Sequence, residues 1–174
     1  MRFLAHSLSF LAIVLVMLGV RTGDLAAQTV RSGCIFEALS DGRQILRCQR
    51  NVTITVEQGA RFSLADRDSD GNADALLLRY KAALVDSPAG SRFQVVTPQA
   101  IAAVRGTRWA VDVGSGKTAV FVERGRVGVQ RTASSTGVVL GPGEGVDVDS
   151  SGGPLTVRTW GKPRVDALMA RLGQ

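Results

Sequence analysis

The residue pattern predicts an all-β protein of short stacked strands, finished by one C-terminal amphipathic α-helix. Three observations lead there. About ten short apolar or alternating runs of strand length are separated by Gly, Pro, Asn, Asp and Ser clusters at close intervals. Nothing between them has the apolar period of a crossover helix. The one clear 3.6-residue period sits at the chain's end. This spacing suits a sandwich, a barrel or a β-helical stack. With 174 residues, one ordinary core can form without a metal or covalent staple.

Residues 1–27 read as a secretory signal. Arg2 supplies the positive start, Leu8 to Gly19 form an apolar stretch in which only Ser9 is polar, and Leu25-Ala26-Ala27 offers a cleavage site before Gln28. The apolar stretch is too short to favour a spanning helix. An uncleaved N-terminal anchor is the alternative, because Leu25 at the minus-three position is larger than the usual alanine. No other apolar run approaches spanning length, so no membrane span is expected in the mature chain. Without Arg2, Arg21 and Asp24 the remainder carries 19 basic and 14 acidic residues, a net charge of +5. The arginines are scattered, which argues against a nucleic-acid arm and fits a mildly basic, soluble surface.

Export makes the two cysteines interpretable. Cys34 and Cys48 flank the turn signal Asp41-Gly42, and in an oxidising compartment they are expected to form a disulfide across a hairpin, stabilising by roughly 2–4 kcal/mol. Val52-Thr53-Ile54-Thr55-Val56 then alternates with period two, as a half-buried strand does. Arg61 to Leu64, Ala75 to Tyr80 and Ala82 to Val85 are further strand candidates. Ser87-Pro88-Ala89-Gly90 marks a break, giving an N-terminal β segment over 28–90.

Between two of these strands, Asp66-Arg67-Asp68-Ser69-Asp70-Gly71-Asn72-Ala73-Asp74 fits the start of a calcium loop. Alternate carboxylates at Asp66, Asp68 and Asp70 converge on one hard cation, glycine permits the sharp turn, and Asn72 and Asp74 complete the set. Four carboxylates this close repel one another unless solvent or a cation screens them. An EF-hand needs a bidentate glutamate at the twelfth position, where this chain has Leu77, and helical flanks, where this chain has strands. The pattern therefore stands between an Asp-rich metal loop of β-proteins and a solvated acidic turn.

From Phe93 onward the strands come quickly: Phe93 to Val96, Trp109 to Val113, Ala119 to Glu123 and a run from Val127. They are punctuated by Thr97-Pro98, Arg105-Gly106-Thr107, Gly114-Ser115-Gly116 and Gly125. Gly114-Ser115-Gly116-Lys117-Thr118 ends like a phosphate-binding loop. Its first glycine is replaced by Val111 and a strand follows where a helix N-terminus is required, so it reads as a hairpin turn and no nucleotide is expected.

The run Thr97-Pro98, Ala100-Ile101-Ala102-Ala103, Val104-Arg105-Gly106-Thr107, Trp109 and Arg124-Gly125-Arg126-Val127, continued by Val138-Val139-Leu140-Gly141-Pro142-Gly143-Glu144-Gly145, resembles the FecR domain. That domain is the periplasmic module of ferric-citrate-type sensor and anti-sigma regulators. The resemblance covers residues 93 to 148 and implies a FecR-like β domain over 91–160, with a β-helix-like or sandwich-like stack. In the family's regulators a cytoplasmic anti-sigma segment and a membrane helix precede the periplasmic part. Here the signal leads directly into the β segment, so any signalling is expected to pass through a partner.

Arg105 beside Gly106 matches carboxylate or phosphate ligands. The commoner use of Val104, Arg105, Gly106 and Thr107 is a structural corner, and Trp109 suits the core better than a binding platform. Val146 to Val148 and Leu155 to Val157 are the last strand candidates. In the C-terminal segment 161–174 a helix is expected over Arg164 to Leu172, where Val165, Leu168, Met169 and Leu172 form one apolar stripe, with Pro163 just before it suiting the first turn and Gly173 the stop. Such a stripe packs on the body of a domain or docks a partner.

Catalysis is not expected. The single histidine, His6, lies in the signal, both thiols are expected to be oxidised, and three scattered lysines define no dyad. The sequence thus predicts an exported, non-enzymatic sensor, scaffold or protein-binding module, located in the periplasm or secreted after cleavage near Ala27. Its expected partner is an envelope protein or polymer. No cofactor is called for apart from calcium at the acidic loop, where a calcium-dependent structural or adhesion module is the alternative.

Overall fold

The computed structural model describes residues 29–132, 134 and 137–174, with the side chains of Thr29, Val30 and Arg105 outside that description. The signal reading of 1–27 also lies outside it. Among the described residues, fourteen strands make a curled sheet of two ladders that share one strand, accompanied by one α-helix and a short 3-10 turn. Ladder A joins, in spatial order, β1 (Thr29–Arg31), β2 (Cys34–Ala38), β3 (Gln44–Cys48), β4 (Thr53–Val56), the second half of β6 (Ala75–Asp86), β9 (Arg108–Gly114), β10 (Lys117–Arg124), β13 (Glu144–Val148) and β14 (Arg158–Thr159). Ladder B joins β5 (Arg61–Ala65), the first half of β6, β7 (Arg92–Val96), β8 (Ala100–Arg105), β11 (Val127–Arg131) and β12 (Gly137–Leu140). All pairings are antiparallel except β6 with β7, so the stack is sandwich-like rather than a parallel coil.

The long strand β6 hands the chain from one ladder to the other. Its pairing with β5 ends at Tyr80 and its pairing with β9 begins at Lys81, which sits at φ 67°. One residue in the left-handed region resets the alternation, as a bulge does. Leu76 and Leu78 point into the core before it, and Ala83 and Val85 after it. The sequence reads this region as two strands for that reason. Because β6 also pairs with β7 and β9, the segments 28–90 and 91–160 share one core.

That core lies between the ladders. Leu46, Ile54, Val85, Trp109, Val111 and Val122 enter it from ladder A, and Leu76, Phe93, Val95, Val127 and Leu140 from ladder B, all buried. A second apolar cluster covers ladder A's outer face. Helix α1 (Lys162–Arg171) lays Leu168 and the following Leu172 on Ala82, Leu84, Ala110 and Phe121, with Val165 and Met169 at the margin. The apolar stripe therefore packs on the body. Trp160 stacks on Phe121 at 5.3 Å between ring centroids, and Gly145 makes room for it, since a Cβ there would lie 2.3 Å from the indole Nε1.

Three details differ from the sequence reading. The run Ala100–Ala103, seen only as part of a motif, is strand β8. Leu155 to Val157 is not a strand; Leu155 and Val157 pack against the core, and pairing with β13 begins only at Arg158, opposite Gly145. The helix starts at Lys162 rather than Arg164 and ends at Arg171. The phosphate-like Gly114 to Thr118 is a tight hairpin, with Lys117 opposite Gly114 and Ser115 and Gly116 both at positive φ.

Candidate functional site

The disulfide hairpin and the acidic loop form one unit. Cys34 and Cys48 face each other across β2 and β3, 4.0 Å apart at Cα, and are joined. The chain leaves Cys48 through a 3-10 turn, Gln49–Asn51, in which Arg50 sits at φ 58°. From there Arg50 donates to Asp70 Oδ2 at 2.7 Å. On the other side of the disulfide, Ser32 O accepts the Ala73 amide at 2.8 Å. Gly33 fits closely under Asn72, whose Oδ1 lies 2.5 Å from where a side chain at Gly33 would begin. The cross-linked hairpin thus fixes the loop from two directions.

Within the loop, Asp66 accepts the amides of Asp70 at 3.2 Å and Gly71 at 2.8 Å, and Asp70 accepts that of Asn72 at 2.8 Å. These bonds fix Asp66 and Asp70, and one carboxylate oxygen from each of Asp66, Asp68 and Asp70 lies within 4.8 Å of the others. The Asn72 amide, assisted by Arg50, holds the Asp70 carboxyl below its ordinary value. Of the other two expected ligands, Asp74 accepts the Arg67 amide through Oδ1 at 3.2 Å, and Asn72 places its Oδ1 against Gly33. Three oxygens, together with backbone carbonyls and water, fit the demands of a hard cation, while Arg50 competes for one of them.

Val104, Gly106, Thr107 and Trp109 lie where the chain passes from ladder B to ladder A. Val104 and Trp109 are buried in the core. Gly106, at φ 74°, is the turning residue, and a Cβ on it would lie 2.6 Å from the Ala89 Cα. Thr107 is fully buried; its carbonyl accepts the Ser87 amide at 2.9 Å, and Gly125 leaves room for its methyl group. Among the described residues, Thr107 Oγ1 and Trp109 Nε1 have no hydrogen-bond partner. This corner joins two ladders and presents no described reactive group to a surface.

Between β5 and the hairpin β2–β3 the ladders stand apart, leaving an open cleft of about 650 Å³. Phe36, Phe62 and Leu64 form its floor, with Arg31 and Gln44 at the rim. The sequence reading missed this cleft because its two walls come from strands that are not neighbours in the sheet. It also missed the arginine braces. Arg171 spans Glu57 and Asp112 at 2.6 and 2.7 Å, and those two carboxylates, Asp112 first, raise its pKa above the ordinary guanidinium value. Arg164 lies 3.5 Å over the Trp160 ring and grips Asp147 through both carboxylate oxygens, at 2.5 and 3.0 Å. Arg131, almost fully buried, donates to the carbonyls of Asp149 and Gly153.

Compared with known proteins, the chain matches the family described as FecR protein over residues 36–128, more than half its length. The chain belongs to the FecR family. The matched span starts in β2 and ends in β11, so it takes in the acidic loop as well as the Val104–Trp109 corner. The fold of this FecR-family chain is similar to a solved structure, at 1.65 Å resolution, of a candidate anti-sigma factor from Parabacteroides distasonis ATCC 8503. The TM-score is 0.58 at 19% identity, over 77% of this chain and 64% of that one. A second structure so described from the same organism, at 2.50 Å resolution, aligns with a TM-score of 0.48 at 20% identity, over 82% of this chain and 63% of that one. The FecR-family chain spans less than two thirds of the length of either. A search of curated protein sequences gives no match.

Proposed function

We propose that this FecR-family chain is an exported, non-enzymatic module that works by binding, as a periplasmic sensor or scaffold contacting another envelope protein or polymer. Membership of the family over 36–128 carries the reading. The disulfide supports an oxidising compartment, and among the described residues no helix is long and apolar enough to cross a membrane. The fold neighbour described as a candidate anti-sigma factor supports a place in regulation, with the signal passed on through a partner protein. Recognition uses the side that α1 leaves open: the outer face of ladder B, its edges and the cleft beside β5. There a rigid, braced sheet offers main-chain and apolar contacts.

Fractionation of cells expressing the full chain, with thiol trapping, tests this reading. A processed, oxidised protein that crosslinks to envelope components supports it. A cytosolic protein with free thiols contradicts it.

The convergence of Asp66, Asp68 and Asp70 favours a second reading, a calcium-dependent structural module. Calorimetry with calcium is then expected to show heat and a raised Tm, both lost in an Asp68→Ala, Asp70→Ala double variant. No heat and no stabilisation in the unaltered chain eliminates it.

A further inference from the structure

A second open cleft, of about 400 Å³, lies where β13 and β14 meet the start of α1 and is bounded by residues from the loop 149–154. Arg131, Arg158, Arg164, Asp147 and Asp149 supply its charges. All of them follow the span 36–128 that matches the family.

Which of these charges is already satisfied decides what the cleft can hold. Asp147 is spent, since Arg164 takes both of its oxygens while lying on the Trp160 ring. Asp149 Oδ1 accepts the amide and the hydroxyl of Ser151, at 3.0 and 2.6 Å. Those bonds, and after them the charges of Arg131 and Lys117, hold the Asp149 carboxyl below its ordinary value. The cations are less well served. Arg131 is almost fully buried, yet it donates to the neutral carbonyls of Asp149 and Gly153, and Asp149 Oδ1 stays 3.7 Å from it. A buried guanidinium without a close counter-charge is costly. Arg158 is exposed on β14, and among the described residues it has neither an ion pair nor a side-chain hydrogen bond. With Lys117 near Asp149, four cations stand against two carboxylates that are already bonded.

This balance selects the sign of an occupant. A second cation would meet the larger positive charge, and an apolar group would desolvate it. An oxyanion instead offers paired acceptors, which match the planar fork of a guanidinium. We propose that the cleft is a binding site for a small oxyanion, the carboxylate or phosphate of a polar ligand about the size of one sugar ring. Arg158 is the principal contact, and Arg131 supplies positive charge from beneath the surface. This goes beyond the proposed function, because it uses another part of the chain and a small ligand, and either can fail without the other.

Titration of the chain with its disulfide intact, at constant ionic strength, tests it with inorganic phosphate, glucuronate and glucose as probes, followed by the indole N–H signals in NMR. Trp160 lines the cleft and Trp109 lies in the core, so the two tryptophans give an internal control. Phosphate, glucuronate or both are expected to shift the Trp160 signal saturably and leave that of Trp109 in place. Which of them does so tells a phosphate source from a carboxylate source. Glucose is expected to shift neither. Arg158→Gln, at an exposed position and with an unchanged Tm, is expected to weaken binding at least ~10-fold, and Arg158→Lys, which keeps the charge, to weaken it less. Arg92→Gln, which removes the same charge elsewhere, is expected to leave binding unchanged. No saturable shift with either anion overturns the proposal. So do glucose binding equal to that of the anions, an Arg158→Gln chain that binds like the original, and an equal loss in Arg92→Gln.

Discussion

The outer faces of the two ladders are built differently. That of ladder A carries Ala82, Leu84, Ala110 and Phe121, and is covered by α1 and Trp160. That of ladder B carries Gln94, Ala103, Gly128, Gln130 and Val139, half-buried or exposed, with nothing described packed over it. The contrast is written in the side chains. Large apolar groups on one face demand a lid, while small and amide side chains on the other remain soluble and accessible. Arginines hold the lid at both ends, Arg164 near its start and Arg171 in its last turn, where positive charge also suits the helix dipole. The covered face serves stability, and the recognition proposed above falls on the open one.

Substitutions on the two faces should therefore differ in effect. Leu172→Ala removes a fully buried side chain under the lid and is expected to lower the unfolding free energy by about 2–5 kcal/mol in a denaturant titration. Arg171→Met leaves Glu57 and Asp112 without their shared cation. Arg171 is partly exposed, so solvent screening limits the loss to roughly 1 kcal/mol, and the difference from the unaltered chain should shrink at high salt. Val139→Ala on the open side, measured in dilute solution, is expected to stay within about 0.5 kcal/mol. If Val139→Ala matches Leu172→Ala, the distinction between the faces is lost.

The smallest expected effect is a shift in titration at the acidic loop. Asp70 is held below the ordinary value of 3.8, so its hydrogen bonds stabilise the folded loop above that pH and are lost as the pH falls through the lower, folded value. A carbon-detected NMR titration is expected to place the Asp70 inflection below 3.8. Arg50→Ala should raise it only part of the way, because the Asn72 amide is the larger cause. A full return to 3.8 in that variant would reverse the order of the two causes.

Much of this arrangement was legible in the chain. Thr53–Val56 alternates cleanly because one side of β4 is buried, Asp41-Gly42 turns the hairpin that Cys34 and Cys48 close, and the spacing Val165, Leu168, Met169 and Leu172 gave the lid. Strand β8 was not legible as a strand, because alanines carry little β preference and only its neighbours β7 and β11 make it one. Lys81 hid the continuity of β6 by resetting its alternation. The acidic loop was visible as a string of ligands, but which of them converge depended on Arg50, Ser32 and Gly33, all distant in sequence. The braces were out of reach, since Glu57 and Arg171 lie 114 positions apart.

The measurement closest to the central claim places a photo-crosslinking residue at Ala103, on the open face of ladder B, or at Ala167, on the exposed side of α1, in otherwise identical chains in living cells. Adducts with an envelope partner from position 103 and few from 167 are the expected result. Adducts from 167 alone would place recognition on the lid and contradict the account.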